Sequence, residues 1–132
     1  MSQTTLRLLP FRPSTAHAAR VDLATFLAQR NIRQVAIDDA LVVLSELISN
    51  AITHGKPDAN GQLCVGWGID DGELEVCVCD CGELALRTTL RPQPMSETAL
   101  EGRGLAIVDA LAARWWVDDL PGTTIHARIA LV

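Results

Sequence analysis

The chain has 132 residues and a formal net charge of −5 at pH 7; 48% of its residues are hydrophobic and 20% are charged. This length predicts a single domain over residues 1–132 with a core large enough to fold alone, and the composition excludes a disordered or coiled-coil protein. The negative charge argues against non-specific nucleic-acid binding, which needs clustered Lys and Arg, although backbone N–H groups can still form a local anion site.

A short strand and two helices are predicted in the first part of the chain. The strand covers residues 5–9, and the first helix runs from a cap at Ser14 to about Arg30. Asn31 ends this helix, and a second helix follows over residues 35–53. The side chains predicted to face the core from the first helix are Ala18, Val21, Phe26 and Leu27.

Strands dominate the rest of the prediction. Residues 63–69 and 74–79 form a hairpin around Asp70-Asp71-Gly72, because Asp-Gly is a strong signal for a tight turn. The remaining predicted elements are a loop at residues 82–101, a helix at 102–113, and two strands at 115–118 and 124–132. Direct hairpin turns leave no room for crossover helices, so we expect an α/β two-layer sandwich (α+β) with a largely antiparallel sheet.

The cysteines and the lack of long apolar segments predict a cytoplasmic protein. Cys77, Cys79 and Cys81 alternate along one strand face, too extended for a tetrahedral metal site without a fourth ligand nearby. We interpret them, with Cys64, as buried structural thiols rather than a metal or redox site. The N-terminal residues contain no signal-peptide core, and no stretch of the sequence approaches a membrane span.

The second predicted helix has an apolar and a polar side. The apolar arc consists of Leu41, Leu44, Leu47, Ile48, Ala51 and Ile52, and the opposite stripe consists of Asp39, Glu46, Asn50 and Thr53. A solvated helix face is one interpretation of the stripe. A ligand site is the other, because Val42 and Val43 flank the stripe and Asn is a poor residue for a solvated helix interior. The helix alone leaves both open.

Two glycine motifs add to this pattern. Asp80 and Gly82 follow the second hairpin strand, where the backbone must turn sharply or approach a ligand. Gly102 and Gly104 open the next helix, whose unpaired N–H groups and dipole favour an anion. Each motif by itself is equally compatible with a turn or a loosely capped helix.

Taken in order, these motifs resemble the GHKL ATPases, and specifically the small anti-sigma-factor serine kinases. The matching runs are E-L-x-x-N-A-x-x-H-G at residues 46–55, D-x-G at 80–82 and G-x-G-L at 102–105. The likeness extends over almost the whole chain. The exception is the lid, the segment that covers the nucleotide in this family. It implies a Bergerat-type ATP-binding fold, with helices on one face of a mixed, largely antiparallel sheet and ATP held between a helix and the lid.

The resemblance also implies a role for each matching residue. Asn50 would bind Mg²⁺ through its amide oxygen, and Glu46 would be the base that orients or deprotonates an attacking hydroxyl. Asp80 would accept a hydrogen bond from the adenine amino group, and Gly82 would let the base approach. The other implied contacts are Gly102 and Gly104 with the phosphates, Arg103 with phosphate or a partner, and Thr124 near the adenine.

The implied function is that of an ATP-dependent serine/threonine protein kinase that binds a sigma factor and phosphorylates an anti-sigma antagonist. Its cofactors would be ATP and Mg²⁺, and its partners would also include ADP and a second copy of the chain. Leu84 departs from the D-x-G-x-G run of members with strong ATPase activity. This departure leaves open a partner-binding module that holds nucleotide without phosphoryl transfer. A histidine kinase domain fits less well, because His17 has no acidic neighbour.

Overall fold

The computed structural model describes residues 4–80, 101–118 and 122–132, with only the backbone described at 101–104. Its elements in chain order are β1 (Thr5–Pro10), α1 (Thr15–Ala28), α2 (Gln34–His54), β2 (Gln62–Asp70), β3 (Glu73–Asp80), α3 (Glu101–Leu111), β4 (Arg114–Asp118) and β5 (Thr123–Ala130). The predicted residues Cys81, Gly82 and Leu84 lie outside the described part. Within that part, no helix is both long and apolar enough to span a bilayer.

The strands form one sheet in the order β1-β2-β3-β5-β4, and each neighbouring pair is antiparallel. The predicted α+β sandwich is confirmed, and the described strands contain no parallel pair. Asp70 pairs with Glu73, and Asp71 (φ 52°) and Gly72 (φ 74°) both adopt the left-handed conformation between them. A two-residue turn with both residues at positive φ matches the right-handed twist of the two strands. The hairpin turn predicted at Asp71-Gly72 is therefore confirmed.

The core lies between the helices and one face of the sheet. Side chains alternate along each strand, so every second residue of β2, β3 and β5 points towards the helices. The buried strand residues on this face include Leu63, Val65, Trp67, Leu74, Val76, Val78, Ile125, Ala127 and Ile129. Helix α2 packs against α1, α3, β3 and β5, and therefore connects all parts of the core.

The buried stripe of α1 is not the predicted one. Its buried residues are Thr15, Ala19, Leu23 and Leu27. Leu27 was predicted correctly and Phe26 is half-buried, but Ala18 is exposed and Val21 is 52% exposed. Apolar residues occur on several sides of this helix, so the sequence does not single out the side that packs on α2.

The ends of the first two helices are fixed by different means. Ser14 makes no capping hydrogen bond through its side chain, and instead Thr15 Oγ1 donates to the carbonyl of Pro10. Asn31 ends α1 with a φ of 58°, as its position in the sequence predicted. The cap predicted at Ser14 was wrong because the adjacent Thr15 ties the helix back to β1.

The sheet face away from the helices carries a buried arginine. Arg128 is only 8% exposed; its Nε lies 2.8 Å from Glu73 Oε1, its Nη1 3.4 Å from Glu75 Oε1, and its Nη2 donates to the Asp70 carbonyl at 2.9 Å. Such bonds to a guanidinium are stronger than neutral ones. They tie β5 to the tip of the β2–β3 hairpin.

Three described cysteines lie on the same outward face. Cys77 is buried, Cys64 and Cys79 are half-buried, and all three are free thiols. Burial, assisted by nearby thiols and Glu75, raises the pKa of Cys77 to about 12. Burial also raises the pKa of Cys64. Since the thiolate is the reactive form, a raised pKa lowers the reactivity of both thiols, which is consistent with a structural role.

Alkaline pH should destabilise the protein through Cys77. Its folded pKa of about 12 exceeds the ordinary value of 9.0, so the unfolded state loses its proton first and the free energy of unfolding falls as pH rises above that value. The chain has no tyrosine and one lysine, so the other side chains that titrate in this range are mainly the remaining three cysteines, which Cys77→Ala leaves unchanged. Urea unfolding under reducing conditions should show a smaller alkaline loss in Cys77→Ala than in the parent. Equal losses would contradict this account.

Candidate functional site

The polar stripe of α2 is only partly exposed to solvent. On the opposite side, the predicted arc residues Leu44, Leu47, Ile48 and Ala51 are all buried. Glu46 and Asn50 are each half-buried, whereas Thr53 is exposed. The simple interpretation of a fully solvated face therefore does not hold for Glu46 and Asn50.

Asn50 holds a polar group that no described residue satisfies. Its Nδ2 is buried and has no hydrogen-bond partner in the described part of the chain. Leaving such an N–H donor unpaired costs about 1–3 kcal/mol, and an acceptor such as a phosphate oxygen on a bound ligand would remove that cost. Glu46 lies one turn earlier, and side chains at this spacing are neighbours on the helix surface. An amide oxygen and a carboxylate are ligands that Mg²⁺ accepts, so these residues fit a magnesium–phosphate group.

Glu46 also borders an open pocket between α1 and α2. The pocket has a volume of about 380 Å³ and is lined by Arg20, Leu41, Val42, Ser45 and Glu46. Arg20 was not singled out in the sequence, because an arginine on an exposed helix face has no distinguishing pattern. It becomes a candidate only because the packing of α1 on α2 places it in the lining of the same pocket as Glu46.

Asp80 and Thr123 face each other at one end of the sheet. Asp80 is 3% exposed and Thr123 is fully buried, and the two are direct partners in the β3–β5 register. Both share the strand face of Val78 and Ile125, which points towards the helices. A carboxylate oxygen accepts hydrogen bonds, so Asp80 is a candidate to recognise a donor group on a ligand at this strand end.

Thr124 is not brought together with Asp80. It pairs with Cys79, and by strand alternation its side chain lies on the sheet face away from the helices. The approach of Thr124 to the adenine therefore stays a prediction, and the threonine beside Asp80 in this structure is Thr123. Thr123 shares its parity with the buried Ile125 and Ala127, and this signal was present in the sequence.

Helix α3 presents its first turn at the predicted glycine motif. It begins at Glu101, so the backbone of Gly102, Arg103 and Gly104 belongs to the first turn. The first four N–H groups of a helix have no acceptor within the helix, and the helix dipole favours an anion there. Leu105 and Val108 are buried, and α3 packs against α2.

The chain belongs to a known family. Residues 9–129 match the model of the histidine kinase-like ATPase domain, and this match covers almost the whole chain. The resemblance to GHKL ATPases found in the sequence is thereby confirmed.

Within this family, the chain is similar to anti-sigma factors and serine-protein kinases. It is 31% identical to the anti-sigma F factor of Shouchella clausii over 117 residues, which cover 83% of this chain and 80% of that protein. It is 26% identical to the serine-protein kinase RsbW of Bacillus subtilis over 126 residues, which cover 89% of this chain and 79% of that protein.

A solved structure has the same fold. The RsbU and RsbW domains of Rv1364c from Mycobacterium tuberculosis match 98% of this chain with a TM-score of 0.73 and 22% sequence identity. This chain corresponds to 32% of the length of that one. The match confirms the architecture of a sheet with helices on one face.

Replacing Asn50 by alanine should not weaken the nucleotide-free fold. The change removes an unpartnered buried amide and improves helix propensity, so the free energy of unfolding should stay equal or rise by up to about 1 kcal/mol. Leu47→Ala is the matched control on the same helix; it should cost about 2–5 kcal/mol because it empties a fully buried position. Urea denaturation of both variants measures this difference. A large loss in Asn50→Ala would show that the amide serves the fold.

Proposed function

We propose that the chain is an ATP-dependent serine/threonine protein kinase of the anti-sigma-factor type, which binds a sigma factor and phosphorylates an anti-sigma antagonist. The observation that carries the proposal is the Glu46/Asn50 pair, a half-buried carboxylate one helical turn from a buried, unsatisfied amide. The names of its relatives, anti-sigma F factor and serine-protein kinase, support the same function. Its site of action would be the cytoplasm, where ATP is present and thiols stay reduced.

Four parts of the chain would hold the nucleotide. Asn50 would supply an amide oxygen to Mg²⁺, and bound Mg²⁺ would offset the negative charge that phosphoryl transfer develops. Asp80 would accept a hydrogen bond from the adenine amino group, with Thr123 beside it. The first turn of α3 would direct backbone N–H groups at the phosphates. Gly82 would let the adenine base approach, as the family pattern implies. Arg103 would contact a phosphate or a protein partner.

Glu46 would act on the protein substrate. A serine hydroxyl is a weak nucleophile at neutral pH, and a carboxylate within hydrogen-bond reach can orient it and accept its proton. The pocket beside Glu46 is open to solvent and bordered by Arg20, so an acceptor segment could reach the carboxylate from this side. On helix α2, Glu46 would thus serve the protein substrate, and Asn50 would serve the nucleotide.

A binding module without phosphoryl transfer is the second candidate. The observation that favours it is Leu84, which stands where active family members have a second glycine. Glycine permits backbone conformations that leucine adopts only with strain, so closure over the nucleotide would be impaired. In this alternative the chain would still bind ATP and a protein partner.

Glu46→Gln separates the two candidates. We expect Mg-ATP affinity within a few-fold of the parent, because glutamine keeps the size and polarity of the side chain, while phosphorylation of the antagonist falls by ~10²–10⁴-fold. Asn50→Ala is the contrasting variant and should lose the magnesium-dependent part of ATP affinity. The measurements are ATP titration and radiolabel transfer, with small sulfate-transporter-like antagonist domains as candidate acceptors.

Two outcomes would change this assignment. A parent protein that binds ATP and labels no acceptor would favour the binding module, with Leu84 as the first residue to replace. Loss of ATP binding in Glu46→Gln would show that the carboxylate belongs to the nucleotide site, and the proposed division of roles on α2 would be wrong.

A second copy of the chain is proposed to pair along β1. Leu6 and Leu8 are 62% and 60% exposed on this edge strand, and burying two leucines would contribute about 3–6 kcal/mol. The double variant Leu6→Ser/Leu8→Ser should convert a dimer into a monomer in light scattering. Val21→Ser, an exposed apolar position on α1, is the control and should leave the mass unchanged. A monomeric parent would refute the proposal.

A further inference from the structure

Two buried side chains hold one side of helix α3 in the core. Leu105 and Val108 are the buried residues among its described side chains, and both lie in its N-terminal and middle turns. At its C-terminal end, Ala112 N donates to the Val108 carbonyl at 2.8 Å and Ala113 N donates to the Arg128 carbonyl at 2.7 Å. The Ala113 bond fixes where the chain enters β4, and the two buried side chains hold the core-facing side of the helix.

Among the described side chains, one hydrogen bond connects α3 to the sheet directly. Trp115 Nε1 donates to Asp109 Oδ1 at 2.9 Å. Trp115 pairs with Ala127, so it lies on the helix-facing side of β4, and its ring packs against the core. Asp109 is exposed on α3. The bond thus joins a ring anchored in the core to the outer side of the helix.

A small tilt of α3 near Asp109 produces a larger displacement at the start of the helix. At 1.5 Å per residue, Gly102 lies about 10 Å along the axis from Asp109, so a tilt of about 10° would displace it by about 2 Å. Hydrogen bonds to phosphate oxygens require donor–acceptor distances within a few tenths of an ångström. A small rotation of α3 would therefore remove contacts from its first turn and leave Asp80 and Thr123 unmoved.

We propose that Asp109 and Trp115 form a positioning pair, which sets the axis of α3 so that its first-turn N–H groups meet the nucleotide phosphates. The inference rests on the proposed ATP site and adds two residues that touch neither nucleotide nor substrate. Its specific consequence is selectivity: loss of the bond weakens binding through the phosphates and leaves binding through the adenine unchanged.

Trp115→Phe tests the pair, because it removes the donor and keeps an aromatic ring. We expect about tenfold weaker ADP binding by titration calorimetry, with adenosine affinity, measured by competition, within twofold of the parent. Asp109→Ala, at an exposed position that leaves no core cavity, should give the same selective loss. Asp109→Asn retains an acceptor oxygen and should bind ADP like the parent. Melting temperatures should stay close to that of the parent for all three variants.

The outcomes separate this inference from the proposed function. Parent-like ADP binding in Asp109→Ala, or equal losses of ADP and adenosine affinity in both donor and acceptor variants, would overturn the positioning pair while the ATP site stands. A parent that binds neither ADP nor adenosine would overturn the proposed function and the inference together.

Discussion

The burial of one side of α2 is the constraint on which the site depends. This helix contacts α1, α3, β3 and β5 at once, and Leu44, Leu47 and Ile48 are fully buried. Each such side chain contributes about 1.5–3 kcal/mol, so together they outweigh the cost of about 1–3 kcal/mol for the unpartnered amide of Asn50. The helix cannot rotate to relieve that amide without exposing the core. Packing therefore keeps Glu46 and Asn50 in position before any ligand arrives.

A second constraint comes from strand alternation. The antiparallel register places Asp80 opposite Thr123 and directs both towards the helices, while Cys79 and Thr124 point to the other face. The outward face is organised separately, by Arg128 bound to Glu73 and Glu75. Because these bonds hold β5 to the hairpin, they also hold the register that sets Thr123 beside Asp80. The two faces of the sheet would thus have different tasks, with the proposed ligand site on one and the register-holding ion pairs on the other.

Much of this arrangement could be predicted from the sequence where the signal is local. The apolar period of α2 and the Asp71-Gly72 turn each depend on a few neighbouring residues, and both were predicted correctly. The buried side of α1 could not be predicted in this way. Val21 and Leu23 are equally apolar, and only packing on α2 distinguishes them. The family motif points to Thr124, whereas the alternation with Ile125 places Thr123 on the face of Asp80. The candidate role of Arg20 could be found only from the tertiary structure, since no local sequence pattern places it in the same pocket as Glu46.

The central claim is that the helix-facing side of this sheet binds adenine nucleotide with magnesium. Titration calorimetry of the purified chain with ATP, in the presence and absence of Mg²⁺ and beside GTP, tests it most directly. The account predicts binding of ATP that strengthens with Mg²⁺, and much weaker binding of GTP, because the carboxylate of Asp80 would pair with the adenine amino group, where guanine presents a carbonyl oxygen. No ATP binding at millimolar concentration, or equal affinity for ATP and GTP, would contradict it.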